Sequence, residues 1–216
     1  MRTTPPIPDW IQQARVPGFV TAHQVCQHET RLYGTESLFG DWDAEILLLA
    51  KDWGPSCILH ERMESGDQRP WHHAMKPDGS PARIAGKRLQ ELASPLQHRG
   101  LLYGSALANL LRDDGRVSGS LPNREEAVAY GTRVTGWVVA QMPKLRWVMC
   151  LGLEAWECAS GAVGVEGDWS RHRDNYLPLG KLIAAYHPSA RISKERMAGP
   201  WGLLARLLRE DLSPAA

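Results

Sequence analysis

Residues 45–51 read EILLLAK, and the run stops on Asp52, Trp53, Gly54 and Pro55. Apolar side chains follow one another there with no polar alternation, which suits a strand buried on both faces of a sheet covered by helices. Three further runs share that character: residues 101–108 (LLYGSALA), 146–151 (RWVMCL) and 182–186 (LIAAY). Helical patterns lie between and after them. Residues 83–93 carry Ile84, Leu89 and Leu92 on one side, and residues 124–142 repeat apolar positions at Ala127, Tyr130, Val134, Val138 and Met142. Asn123, with Glu126 three residues on, has the capping-box spacing that opens a helix. Residues 153–160 and 201–209 supply two more helices, Pro200 suiting a first turn, and residues 21–32 supply one near the N-terminus. Strands alternating with helices predict an α/β fold, a three-layer α/β/α sandwich around a central four-stranded parallel sheet.

One domain spanning residues 1–216 accommodates this pattern, because no repeat or low-complexity linker divides the chain and its length suits one core. The composition, 43% apolar and 23% charged, is that of a soluble globular protein. No apolar run approaches the roughly 18 residues of a membrane span, and MRTTPPIPDW lacks a secretory core, so a cytoplasmic location with no membrane partner is expected. A net charge of +1 gives no whole-molecule attraction to nucleic acid, so any such binding must come from a local patch. Arg171, Arg173, Arg191, Lys194 and Arg196 offer one, although such clusters are usually only solvated. The cysteines at 26, 57, 150 and 158 form no Cys-x-x-Cys pair, which reads as reduced thiols without an iron–sulfur cluster.

Open parallel sheets bind ligands beyond the carboxyl ends of their strands. The four runs end there on Asp52-Trp53-Gly54, Asn109, Gly152 and His187-Pro188-Ser189. Each has an ordinary explanation when taken singly. Asp52 could form a turn, Asn109 could cap a helix, His187 could be structural, and Gly152 could serve a tight turn or offer backbone N–H groups to a phosphate. A carboxylate, an amide and an imidazole on one rim suit a particular chemistry, cleavage of a bond to a sugar carbon through an oxocarbenium-like state. The carboxylate positions water and stabilises the cationic sugar, and a neutral imidazole donates a hydrogen bond to the departing oxygen. The amide reads a base edge that shows a carbonyl beside an N–H, as uracil does. Cytosine inverts that order and would leave buried polar groups unpaired, at about 1–3 kcal/mol each.

Through LLLAKDWGPS, SALANLL and AAYHPSAR, in that order over residues 45–191, the chain resembles the uracil-DNA glycosylase superfamily. The resemblance implies an enzyme of base-excision repair, a monofunctional glycosylase that flips uracil, or another deaminated or 5-substituted base, out of DNA and hydrolyses its N-glycosidic bond. It implies Asp52 as the water-activating aspartate, His187 as the group supporting the leaving base and Asn109 as the base reader. Ser56 and Ser189 match serines that hold backbone phosphates, and Arg191 falls where many members insert a leucine and the single-strand-selective branch carries an arginine. The partner implied is DNA, single- or double-stranded, containing uracil, bound by a monomer with no cofactor.

The chain departs from the family pattern at three positions. Ala50 stands where glycine is usual, and Trp53 and Gly54 replace a proline and the tyrosine that excludes thymine. Gly54, lacking a side chain, predicts a pocket open to bases enlarged at carbon 5 or to deaminated purines. The aromatic that stacks on the base is Trp71 or Trp53, worth about 1–3 kcal/mol. Lys51, the nearest amine, is expected to point away from Asp52 by the alternation of an extended segment, which leaves no nucleophile for a lyase step. Cys57, His60, His72 and His73 lack convincing ligand spacing, so no metal is expected. Two competing readings remain: a catalytically silent module that binds uracil or abasic DNA, and a hydrolase of free nucleosides.

Overall fold

The computed structural model describes residues 5–26, 38–52, 54–65, 84–116 and 119–210. Its elements, in chain order, are α1 (Asp9–Gln12), β1 (Phe19–Thr21), α2 (Ala22–Cys26), β2 (Leu38–Gly40), β3 (Ile46–Ala50), α3 (Ser56–Glu64) and α4 (Ile84–Ala93). After a 3-10 segment (Ser94–Arg99) come β4 (Leu101–Ser105), β5 (Leu110–Arg112), α5 (Arg124–Gln141), β6 (Trp147–Leu151), α6 (Leu153–Val163), α7 (Trp169–Asp174), β7 (Leu182–Ala185) and α8 (Lys194–Glu210).

The four apolar runs pair in parallel as β4-β3-β6-β7, and β2 adds an antiparallel edge beside β4. Both faces of β3 are buried, which explains its unbroken apolar sequence. Leu47 and Leu49 join Val134, Val138, Trp156 and Ala159 of α5 and α6 in one core. Ile46 and Leu48 join Leu89 and Leu92 of α4 and Trp201 and Leu204 of α8 in the other. Each buried leucine or isoleucine contributes about 1.5–3 kcal/mol, so the central strand anchors both helical layers. The chain is therefore α/β, with a four-stranded parallel sheet flanked by helices.

Several elements differ from their sequence expectation. The run 101–108 stops pairing at Ser105, because Ala106 to Asn109 turn before β5 pairs antiparallel with β1. Asn123 does not cap α5 with its side chain. It sits at φ +41° and its Nδ2 donates to Pro17 O at 2.9 Å instead. Helix α8 starts well before residue 201, where Ser193 Oγ accepts the Arg196 N–H at 3.3 Å, and Pro200 lies buried inside the helix. Packing of Trp201 and Leu204 against the sheet offsets the one missing N–H. Helix α3, which follows β3, and the Asp168-capped α7, between α6 and β7, are elements that the sequence pattern does not mark. Beyond Cys26 the N-terminal helix expected over 21–32 lies outside the described residues. Among the described residues no helix is long and apolar enough to cross a membrane.

Candidate functional site

Register brings the strand ends into line. Ala50 pairs with Ser105 on one side and Leu151 on the other, and Leu151 pairs with Ala185, so the residues that follow all leave at one edge. The chain passes from β3 to β4 on one side and then to β6 on the other, so the gap between β3 and β6 is the switch point where open α/β sheets form a crevice. Asp52 follows β3 and Gly152 follows β6, one on each side of that gap.

The Asp52 side chain is only 7% exposed. Its Oδ1 accepts the Gly54 N–H at 3.0 Å, closing a turn, while Oδ2 lies 3.1 Å from Arg112 Nε and 3.8 Å from Lys51 Nζ. Gly54 holds φ +103°, which favours glycine, and a Cβ added there would meet nothing within 4 Å. Lys51 corrects an expectation. It points towards Asp52 rather than away, because β3 ends at Ala50 and strand alternation no longer governs the bend that follows. Its Nζ donates to Gly119 O at 2.8 Å and stands 4.0 Å from Glu154 Oε1, so it bridges the crevice to the first turn of α6.

His187 begins a turn closed by the Ala190 N–H donating to His187 O at 2.8 Å. Its Nδ1 meets Ser189 Oγ at 2.6 Å and the Ser189 N–H at 3.2 Å. A backbone N–H can only donate, so Nδ1 is the acceptor and the ring proton resides on Nε2. The residue is exposed, yet the protein crowded around its ring lowers its pKa from the ordinary value of 6.5. The nearby charges act in both directions. Asp52 and Glu154 raise it and Lys51 lowers it, which places the imidazole within electrostatic reach of the carboxylate cluster. Arg88 of α4 fixes the same turn from below, its Nη1 donating to Pro188 O at 3.1 Å and Ala190 O at 3.2 Å.

Asn109 is buried on the α5 side. Its Oδ1 accepts from Tyr130 Oη at 3.2 Å and its Nδ2 donates to Gln12 O at 3.4 Å. These two partners settle which end of the amide is which, and each polar atom keeps one further site, an acceptor beside a donor. No helix follows Asn109, so it caps none. No hydrogen bond or ion pair joins it to Asp52 or His187 among the described residues. Gly152, at φ +116°, gives its own N–H to Ala185 O at 3.0 Å and Cys150 O at 3.1 Å, which corrects the idea that this N–H is free for a phosphate.

Ser56 is buried at the start of α3, and Ser189 and Arg191 are exposed beside His187. Trp53, Trp71, His72 and His73 lie outside the described residues. The basic cluster divides into two kinds of residue. Arg173 stacks 4.0 Å over the Trp169 ring and 4.4 Å over the Tyr186 ring. Hydrogen bonds from Arg173, and further ones from Tyr186 and Arg196, hold the Asp174 carboxyl well below the usual carboxylate range. Two of the five cations are thereby engaged within the protein, and Arg171, Arg191 and Lys194 remain as exposed positive charge.

Four contributors went unread in the sequence: Arg112, Lys51 as a neighbour of Asp52, Glu154 and Arg88. Only Arg112 left a signal, because alternation in LLR puts its guanidinium on the same buried face as Leu110. No protein-family model matches the chain, and no curated protein matches it either.

Proposed function

We propose that this protein is a DNA glycosylase of the uracil type, which hydrolyses the N-glycosidic bond of a base flipped out of DNA. The observation that carries this reading is the pairing of two strand-end groups on one rim. Asp52 is a carboxylate fixed at both oxygens, and His187 is an exposed imidazole whose Nδ1 is occupied and whose Nε2 bears the proton. They supply the two halves of the reaction. Asp52 orients water towards the sugar carbon and stabilises its positive charge, while His187 Nε2–H donates to the oxygen of the leaving base. A lowered imidazole pKa keeps that ring neutral at physiological pH, so it acts by hydrogen bonding without transferring a proton.

Asn109 reads the base through the acceptor and donor that Tyr130 and Gln12 leave unused. Ser56, Ser189 and Arg191 meet the DNA backbone, with Arg191 entering the gap left by the base, and Trp53 or Trp71 stacks on the base. The open space at Gly54 favours uracil and bases enlarged at carbon 5 alike. No step calls for a metal or cofactor. The protein acts as a cytoplasmic monomer on single- or double-stranded DNA.

The test is incubation of labelled oligonucleotides carrying uracil, 5-substituted uracils or deaminated purines, followed by alkali. Strand breaks at the lesion are expected. Tight binding without breaks would favour a silent binding module, and release from free nucleosides alone would favour a nucleoside hydrolase.

A further inference from the structure

Strand β5 is buried along its whole length, and its last residue is an arginine with a 2% exposed side chain. A guanidinium at a core position needs a carboxylate, and the turn bearing Asp52 supplies it while also meeting β5 through its backbone. Backbone contact comes from the Arg112 N–H, which donates to Gly54 O at 3.0 Å, and from the bridge between Arg112 and Pro55. Side-chain contact comes from Nε, which stands 3.1 Å from Asp52 Oδ2. The turn bearing Asp52 is thus docked on β5 by main chain and side chain together.

A purely structural arginine would have its donors satisfied. Here Nε and Nη1 are buried and, among the described residues, make no aligned hydrogen bond, and neither does Asp52 Oδ2. Such under-bonded buried groups weaken a fold, and their presence asks for another reason. The two carboxylate oxygens also differ. Oδ2 is shut inside between Arg112 and Lys51, whereas Oδ1 has given one lone pair to the Gly54 N–H and keeps the other.

We propose that Arg112 is a positioning residue, which draws Oδ2 of Asp52 inward and so presents Oδ1 to the attacking water. The role rests on the glycosylase reading and adds to it both the oxygen that meets water and the group that aims it. Lys51 cannot substitute for Arg112, since its ammonium is shared with Gly119 O and Glu154 and its distance from Oδ2 is 3.8 Å.

The experiment is steady-state excision from a uracil-containing single strand by wild type, R112M, R112K, D52N and the D52N/R112M double variant, each checked for folding by circular dichroism. R112M is expected to lower kcat on the order of 100-fold, the effect of misplacing a reacting group by about an ångström, with KM nearly unchanged. R112K recovers part of kcat, and R112M has no further effect in the D52N background, because the role runs through that carboxylate. Where R112M does not fold, R112K and D52N/R112K complete the same cycle. A folded R112M with wild-type kcat overturns the role of Arg112, as does an R112K no better than R112M or a loss of equal size in both backgrounds. A wild type that releases no base from any oligonucleotide removes the glycosylase reading and this role with it.

Discussion

The ends of β3 and β7 deliver the two principal groups of the site in opposite ways. Asp52 is buried and held by charge, with Arg112 and Lys51 at one oxygen and a backbone N–H at the other. His187 is exposed and held by the turn that follows it, with Ser189 on its ring and Arg88 on the turn's carbonyls. Burial ties the first group to the stability of the whole fold. The second can be loosened with little effect on the core. The comparison therefore separates substitutions that damage folding and chemistry together from those that affect chemistry alone.

The widest separation is expected at the two groups themselves. Asp52→Ala abolishes measurable turnover and also leaves a buried guanidinium without its carboxylate, at about 3–5 kcal/mol of stability. His187→Ala lowers turnover strongly while the urea midpoint stays near that of wild type. In both variants affinity for uracil-containing DNA falls much less than turnover. Equal midpoints for the two variants in urea denaturation would break the contrast between the strand ends. Next comes Arg88→Ala, which removes a cation donating to two carbonyls across 100 residues of sequence. It is expected to reduce kcat about tenfold by freeing the His187 turn, through loss of roughly 1.5–3 kcal/mol of charge-assisted hydrogen bonding. Turnover assays at saturating substrate read that effect directly.

These contrasts also explain what the sequence could and could not convey. The four parallel strands were legible because each is buried on both faces and so reads as an unbroken apolar run. Their order in the sheet then fixed which residues share an edge. Asp52 and His187 were legible for the same reason, since a residue just past a strand end must emerge at that edge. The groups that hold them were not. Arg88 reaches the His187 turn from another layer, and Arg112 reaches Asp52 from β5, a three-residue strand that lies beyond the apolar run 101–108. Lys51 departs from alternation because β3 ends at Ala50 and the bend that follows does not keep the strand period. Local pattern specifies where a group emerges. Local turns supply some of the partners that orient it, but Arg88 and Arg112 come from chain-distant packing, which no short window contains.

Smaller effects sharpen the comparison at the exposed end. Arg191→Ala is expected to reduce excision from duplex DNA by more than from single strands, because only a duplex has a stack to refill. Parallel time courses on matched oligonucleotides check this, and equal losses on both would remove the wedge role.

The smallest change is expected at Ser189. Its backbone N–H and hydroxyl both favour a neutral Nδ1, so Ser189→Ala removes one of the two contacts that, with crowding, keep the imidazole uncharged. For wild type the ring titrates below its ordinary 6.5, which means the folded state prefers the neutral ring. That contribution to stability is present above the unfolded value and is lost as pH falls through the folded one. Turnover should accordingly hold steady across neutral pH and fall only on the acid side of 6.5. In Ser189→Ala both the NMR titration midpoint of the His187 ring and the acid limb of the rate profile should move upward together. A midpoint that rises while the rate profile stays fixed would separate the protonation of His187 from the chemistry and leave Asp52, at the buried end, as the group that sets the rate.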